Sequence, residues 1–342
     1  METPCAVLDS VPPEFLDCPP ERLIDVLPRP TLFDLKGRDP RPLFVSVLLH
    51  GNEETGLEAA QQLLCRHLAK GLSRSLLLFV GNVEAAARGM RTLPSQRDFN
   101  RIWPGTPFIA DPQANMAQFV FEYAARRPLF ASVDIHNNTG FNPHYGCVSR
   151  LEPKSLALAR LFSRTIVHFE RPLGVQVSAF ARLCPAVTVE CGKVGEGKAK
   201  DHAVELLEAC LSITELPDHA PSSQDLNLLR TYVIVRVPPT ATLSFDGAPA
   251  DFMFPADLDH LNFSELAAGA TFGRLGNGAG RLELASGEGP EATSAGYFDY
   301  ADGEIRLARS AIPAMLTTKP AAVRQDCLCY LMHRINMQGE RL

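Results

Sequence analysis

The apolar positions of this chain fall into two alternating kinds of segment. Short runs rich in Leu, Val, Phe and Ile occupy 43–49, 75–81, 129–136, 164–169 and 186–190, the signature of strands buried on both faces of a sheet. Between them, 53–70, 111–127, 153–163 and 198–213 space their apolar residues at helical intervals. In the first of these, Leu57, Ala60, Leu63, Leu64 and Leu68 share one helical face. Strand-like and helix-like segments in alternation predict an α/β domain with a parallel or mixed sheet flanked by helices on both faces.

The pattern changes at both ends. Residues 1–40 are rich in proline and read as a lead-in with a brief helix at 20–26. After Leu216-Pro217 a polar stretch from Asp218 to Asp225 reads as a linker. Beyond it, 231–237, 241–245, 271–275 and 312–317 are short β-type runs, with turn residues such as Asp246-Gly247 and Asp302-Gly303 between them. The expected domains are therefore a lead-in (1–40), an α/β domain (41–216) and a smaller, mostly-β domain (226–342). Repeats and low-complexity tracts are absent from the sequence.

Three apolar runs deliver chemistry-bearing residues at their carboxyl ends. His50 and Glu53 follow 43–49, His136 follows 129–135 within Asp134-Ile135-His136, and Glu190 follows 186–189 within Glu190-Cys191-Gly192. Open α/β sheets place their sites at such strand ends. Two histidines and a carboxylate are the ligand set of a catalytic zinc site, which leaves a position free for water. Glu190 then supplies a carboxylate suited to act as general base on that water. Singly, a histidine after a strand is a turn residue and a glutamate at a helix start is a dipole partner; their common placement makes them a candidate site. The ligand types fit zinc, one ion per chain, although cobalt or manganese suits the same donors.

With His50-Gly51-Asn52-Glu53, Gly81-Asn82, Asp98-Phe99-Asn100-Arg101, Asp134-Ile135-His136 and Glu190-Cys191-Gly192 in that order, the chain resembles the aspartoacylase/succinylglutamate desuccinylase family. That family is a branch of the zinc carboxypeptidase-like fold. The resemblance runs from about residue 41 to 215 and loosely beyond. It implies a mixed sheet flanked by helices, a C-terminal β domain covering the active-site mouth, and a zinc-dependent deacylase acting on a small N-acyl amino acid. It further implies that Arg91 stabilises the oxyanion, with Arg88 and Arg97 as alternatives. Asn100 and Arg101 match the pair that grips a substrate carboxylate, Arg101 through its bidentate fork. A homodimer is implied by resemblance alone.

The surrounding residues carry less weight. Asp98 reads as a buttress of its loop. Asp134, two residues before His136, points to the same side of the strand and suits either an orienting role for that histidine or structural pairing. Asn137, Asn138 and Thr139 serve equally as substrate contacts or as turn caps. His144 and Tyr145 border a pocket or simply hold a loop. Cys191 reads as a small core residue, and His67 and His202 as helix-surface residues. The resemblance departs from its pattern in two places. Relatives acting on acylated aspartate carry an extra arginine where this chain has Phe180, with Arg182 nearby, and a site tyrosine for which Tyr297 and Tyr300 are the candidates.

Composition excludes several classes. The chain has 342 residues, a net charge of −6, and apolar and charged contents of 46% and 21%; the acidity argues against a nucleic-acid or anionic-membrane partner. No apolar stretch approaches a membrane span, and no signal peptide is visible at the amino terminus. Nine cysteines without a Cys-x-x-Cys pair are expected to be free thiols in a reducing cytoplasm. Two other readings remain open: a metallocarboxypeptidase releasing a C-terminal residue, and a zinc-binding sensor or scaffold without turnover.

Overall fold

The computed structural model describes residues 4–276, 280–286 and 296–342; parts of the expected lead-in and of the expected β domain (1–3, 277–279 and 287–295) lie outside the described residues. The protein is mixed α/β, with a large central sheet flanked by helices and a second, smaller sheet. It divides into two compact units.

The first unit runs to Asn137 and includes His144–Ile166 and Pro172–Asn227. Its strands are β1 (Ala6–Leu8), β2 (Thr31–Leu35), β3 (Gly37–Val47), β4 (Leu72–Val80), β5 (Ala131–Asn138), β6 (Tyr145–Val148), β7 (Thr165–His168) and β8 (Ala186–Lys193). They follow the order β1-β2-β4-β3-β5-β8-β6-β7. Helices α1 (Leu23–Val26), α2 (Thr55–His67), α3 (Val83–Ala86), α4 (Pro112–Ala124), α5 (Pro153–Phe162), α6 (Gln176–Phe180) and α7 (Ala199–Ser212) accompany them. Strand β3 pairs in parallel with both β4 and β5. Leu43–Val47 and Leu76–Val80 are buried throughout, so the apolar runs belong to the interior of the sheet.

Three strands of the first unit were not anticipated: β1 and β2 in the proline-rich start, and β6. In the proline-rich start, 31–35 form β2, antiparallel to β4; Pro30 immediately precedes the strand, and no proline lies within it. Strand β6 is only four residues long and antiparallel to β8, too short for alternation to register. Helix α2 buries Leu57, Ala60, Leu63 and Leu64 as expected, but it ends at His67, leaving Leu68 36% exposed. Gly56 lets this helix approach the sheet: a Cβ there would lie 3.1 Å from side-chain atoms of Val47 and Ile135. Helix α4 starts with Pro112 at its first position, and Asp111 accepts hydrogen bonds from the Gln113 and Ala114 N–H groups, a side-chain cap with a pre-set φ behind it.

The second unit comprises Asn138–Pro143, Val167–Arg171 and Leu228–Leu342. Its strands are β9 (Asn227–Arg236), β10 (Leu243–Ser244), β11 (Phe252–Met253), β12 (Thr271–Leu275), β13 (Glu283–Ser286), β14 (Phe298–Ala301), β15 (Glu304–Leu307), β16 (Ile312–Ala314) and β17 (Cys329–Arg334), with the short helix α8 (Pro320–Gln325). Five of them form the smaller sheet, in the order β10-β11-β12-β15-β14. Strand β17 is antiparallel to β9 and β16, and β13 is antiparallel to β9. Phe252, Phe272, Ile305, Leu307 and Leu331 centre its apolar core. The β14–β15 hairpin turns on Asp302 and Gly303, with φ of +54° and +75°, the pair of positive values a tight two-residue turn requires. No described helix is long and apolar enough to cross a membrane.

Candidate metal centre and active site

The site begins where β3 stops. Leu48, fully buried, adopts φ of +54°, unusual for a bulky residue and characteristic of a conformation imposed by its surroundings. The Gly81 N–H donates to the Val47 carbonyl and the Asn82 N–H to that of Leu48. A Cβ on Gly81 would lie 2.9 Å from the Leu48 oxygen, and one on Gly51 would lie 2.2 Å from the Ala86 nitrogen. The glycines of the His-Gly-Asn-Glu and Gly-Asn strings thus allow the backbones to meet. Their close approach turns the chain so that His50 and Glu53 face inward just ahead of α2.

From β5, His136 meets them. His50 Nδ1 is 2.8 Å from Glu53 Oε1, His136 Nδ1 is 2.8 Å from Glu53 Oε2, and the two Nδ1 atoms are 3.2 Å apart. All three residues are buried, and one donor atom from each lies within 4.8 Å of the others. The outer ring nitrogens are also held. His50 Nε2 is 3.0 Å from Asp98 Oδ1, and His136 Nε2 is 2.8 Å from Asp134 Oδ2. A carboxylate on each outer nitrogen draws the proton to Nε2 and leaves Nδ1 as the donor atom, the usual arrangement behind a metal-bound histidine. The residues therefore fit a divalent ion.

The electrostatics follow. Burial opposes ionisation of Glu53, but the imidazoles of His50 and His136 more than offset it and hold its carboxyl well below the ordinary range. Burial likewise disfavours a charged His136, yet Asp134 and Glu53 on either side raise its pKa well above the usual value. Asp98 is held well below the ordinary carboxylate range despite its burial, by His50, Arg91 and Arg101. Asp134 is 0% exposed and also accepts hydrogen bonds from the Ser46 and Thr188 hydroxyls at 2.7 and 3.2 Å.

Glu190 lies in β8 opposite Tyr145 of β6. It is buried, its Oε2 has no hydrogen-bond partner among the described residues, and desolvation pushes its pKa up from 4.5 to about 7. Its neighbours Glu53 and His136 pull that value in opposite directions. A buried, unpaired carboxyl with a pKa near neutrality is suited to proton transfer.

Of the three candidate arginines, Arg91 is at the site. Its Nε and Nη2 donate to Asp98 Oδ2 at 3.3 and 3.0 Å, and its Nη1 lies 3.6 Å from Glu53 Oε1. Arg88 is exposed, and Arg97 pairs with Asp111. The Asn100 Oδ1 accepts the Gln176 N–H, which aims its Nδ2 at the ring edge of His136, 3.2 Å from Nε2. Arg101 Nη1 donates to the Asn100 carbonyl. Asp98 does more than brace its loop. Besides Arg91 and the Asn100 N–H it engages His50, a link across 48 positions whose sequence signal was only its membership of Asp-Phe-Asn-Arg.

The remaining candidates are placed by their contacts. Asn137 has its amide engaged, with Oδ1 accepting from the Thr55 N–H and Nδ2 donating to the Gly192 carbonyl. Asn138 is buried, with no partner for either amide atom among the described residues, and the Thr139 hydroxyl donates to that of Thr317. His202 is not a free helix-surface residue: it hydrogen-bonds His144 at 2.7 Å between Nδ1 atoms and stacks on Phe162. His67 is partly exposed beside Glu208, and Cys191 is fully buried. Phe180 is a core residue stacked on Phe44, and Arg182 lies over Phe121 in a cleft shared with Arg150 and Lys154. Within their own unit, Tyr297 packs on Tyr232, and the Tyr300 hydroxyl accepts the Leu282 N–H.

A mixed α/β fold whose first unit converges two histidines and a glutamate, with a buried glutamate beside them, defines the class: an α/β protein with a candidate hydrolytic metal centre. Residues 41–214 match the succinylglutamate desuccinylase/aspartoacylase catalytic domain, half of the chain. The chain belongs to that family of hydrolytic deacylases. Solved structures agree on the fold. Succinylglutamate desuccinylase from Chromobacterium violaceum is 17% identical, with a TM-score of 0.57 over 88% of this chain and 86% of that one. Succinylglutamate desuccinylase/aspartoacylase from Rhodobacter sphaeroides is 16% identical, with a TM-score of 0.59 over 89% of each. Murine aminoacylase 3 is 15% identical, with a TM-score of 0.55 over 87% of this chain and 97% of the other. No curated protein matches the chain.

Proposed function

We propose that this protein is a zinc-dependent amidohydrolase that releases the acyl group from a small, carboxylate-bearing N-acyl amino acid. The observation that carries the reading is the convergence of the His50 and His136 Nδ1 atoms on Glu53, with each outer nitrogen held by a carboxylate. The names of its structural relatives, a succinylglutamate desuccinylase and an aminoacylase, point to the same class of substrate.

His50, Glu53 and His136 would hold the ion. When bound, zinc supplies Lewis acidity and lowers the pKa of a water towards neutrality. Glu190, its pKa raised to about 7 by burial, takes a proton from the attacking water and passes it to the leaving nitrogen, so that one carboxyl serves both transfers. Arg91, steadied by Asp98, supplies positive charge for the oxyanion. Arg101 and Asn100 orient the substrate carboxylate, the guanidinium by its fork. Asp98 and Asp134 fix the orientation of the two imidazoles through their outer nitrogens.

The test pairs metal analysis with a panel of N-acyl amino acids scored for released amine, with Glu190→Gln as the control. The expected result is one zinc per chain, turnover of a small acyl-amino acid, and a variant that keeps zinc and loses turnover. Absence of zinc after zinc-replete purification, or undiminished turnover in E190Q, would overturn the reading. Release of a C-terminal residue from peptides instead would move it to carboxypeptidase action, and zinc without any turnover to a binding role.

A further inference from the structure

Asn137 follows a metal-ligand candidate, yet its amide is unavailable to a substrate. Three hydrogen bonds radiate from this residue, which is 3% exposed. Its backbone N–H donates to Glu53 Oε2 at 3.1 Å. Its Oδ1 accepts the Thr55 N–H at 3.3 Å, and its Nδ2 donates to the Gly192 carbonyl at 3.1 Å. Each partner belongs to a different part of the site. Glu53 is a ligand candidate, Thr55 is the first residue of α2, and Gly192 lies two residues past Glu190 on β8.

Each contact fills a need that the local chain leaves open. The first N–H groups of a helix lack partners within it. Glu54, which precedes α2, makes no side-chain cap; the cap comes instead from β5, 82 positions away. Gly192 is held just as firmly on its other side. It has φ of +72°, and a Cβ there would lie 2.5 Å from Glu196 Oε2 and 3.1 Å from His144 Nε2. The amide orientation is also determined, because the Thr55 N–H needs an acceptor and the Gly192 carbonyl needs a donor; a flipped amide would satisfy neither.

We infer that Asn137 is a positioning residue, a clamp that fixes the base-bearing end of β8 relative to the metal-bearing turn ahead of α2. The inference rests on the proposed hydrolysis for its catalytic consequence. Its structural content, that the Asn137 side chain couples the start of α2 at Thr55 to Gly192 while its backbone N–H holds Glu53, stands apart from any substrate. A residue that acts this way changes the rate of the chemical step and the hold on the ion, while leaving the affinity for substrate alone.

The experiment compares Asn137→Ala, Asn137→Asp and Asn137→Ser with wild type. Asn137→Asp keeps the acceptor for Thr55 but sets a carboxylate against the Gly192 carbonyl, so it breaks one leg selectively. Asn137→Ser can restore only one of the two side-chain bonds. Circular dichroism and thermal melting of each variant identify those that fold. For the folded variants, kcat is expected to fall by about 10–100-fold with KM within about twofold, Asn137→Ala being worst and Asn137→Ser intermediate. Zinc affinity by chelator competition is expected to weaken over the same about 10–100-fold range, and the visible spectrum of the cobalt-loaded protein to shift. A raised KM with unchanged kcat would make Asn137 a substrate contact and overturn the clamp. Wild-type kcat, zinc affinity and cobalt spectrum in folded Asn137→Asp would also overturn it. Should wild type turn over no N-acyl amino acid, the proposed function fails, and the chelator and cobalt measurements still decide the clamp.

Discussion

Replacing Asp134 by asparagine isolates what a carboxylate contributes behind a candidate ligand histidine. Asp134 Oδ1 accepts from Ser46 Oγ, while Oδ2 accepts from both His136 Nε2 and Thr188 Oγ1. Asparagine can keep its carbonyl on His136 and Thr188 and turn its NH2 towards Ser46, whose hydroxyl can rotate to accept. Shape and hydrogen-bond count are then retained, and the negative charge is the main loss. A hydrogen bond to an ionised group is worth about 1.5–3 kcal/mol and a neutral one about 0.5–1.5 kcal/mol. The exchange therefore costs about 1–2 kcal/mol of the bond that polarises His136, or about 5–30-fold in metal affinity. Asp134→Ala is the wrong probe, because it would orphan three buried donors at about 1–3 kcal/mol each and threaten the fold. The assay is zinc affinity of D134N by chelator competition at constant pH, with urea unfolding as a check on structure. Unchanged zinc affinity in a folded D134N would refute the claim that Asp134 tunes the ligand.

Three further outcomes follow from the same geometry. Burial raises Glu190 from 4.5 to about 7, so the stability that its bound proton contributes is full below pH 4.5 and lost as the pH rises through about 7. Metal-free E190Q should accordingly match wild type in acid and exceed it by about 3 kcal/mol above neutrality; parallel urea-unfolding curves against pH would contradict this. Arg101→Ala should raise KM for substrates bearing a free carboxylate and leave an amide-capped analogue unaffected, whereas equal KM values for both substrates in wild type and variant would remove Arg101 from the site. Phe180 is 0% exposed, 4.0 Å from the Phe44 ring and edge-on to Trp103 and Phe121, so Phe180→Ala should cost about 3–5 kcal/mol and Phe180→Arg more, as a buried unpaired charge. Wild-type stability of F180R in urea would show that the position opens onto a pocket.

The parts of the site written in the sequence are those set by short-range geometry. Apolar runs that end at His50, His136 and Glu190 are read directly, because a buried parallel strand must be apolar and its end is where side chains become available. The relation of Asp134 to His136 is equally local: residues two apart on a strand share a face, and the side chains meet at 2.8 Å. What the sequence hides is set by partners far along the chain. Asp98 and His50 are 48 positions apart, Asn137 and Gly192 55 apart, and no periodicity within either segment encodes the meeting. Asn137 shows why adjacency misleads. It follows a ligand candidate and carries an amide, and both facts suggest a substrate contact. Its donor and acceptor were instead required by a helix N–H and a strand carbonyl that nothing local could satisfy. Phe180 makes the complementary point. The position that the resemblance matched to a substrate arginine is here closed by Phe44, Trp103 and Phe121, and its packing leaves no opening for a substrate group. The candidate site was legible because it is made of particular residues in a particular order. The specificity was not, because it depends on which of many polar groups the fold leaves unspent.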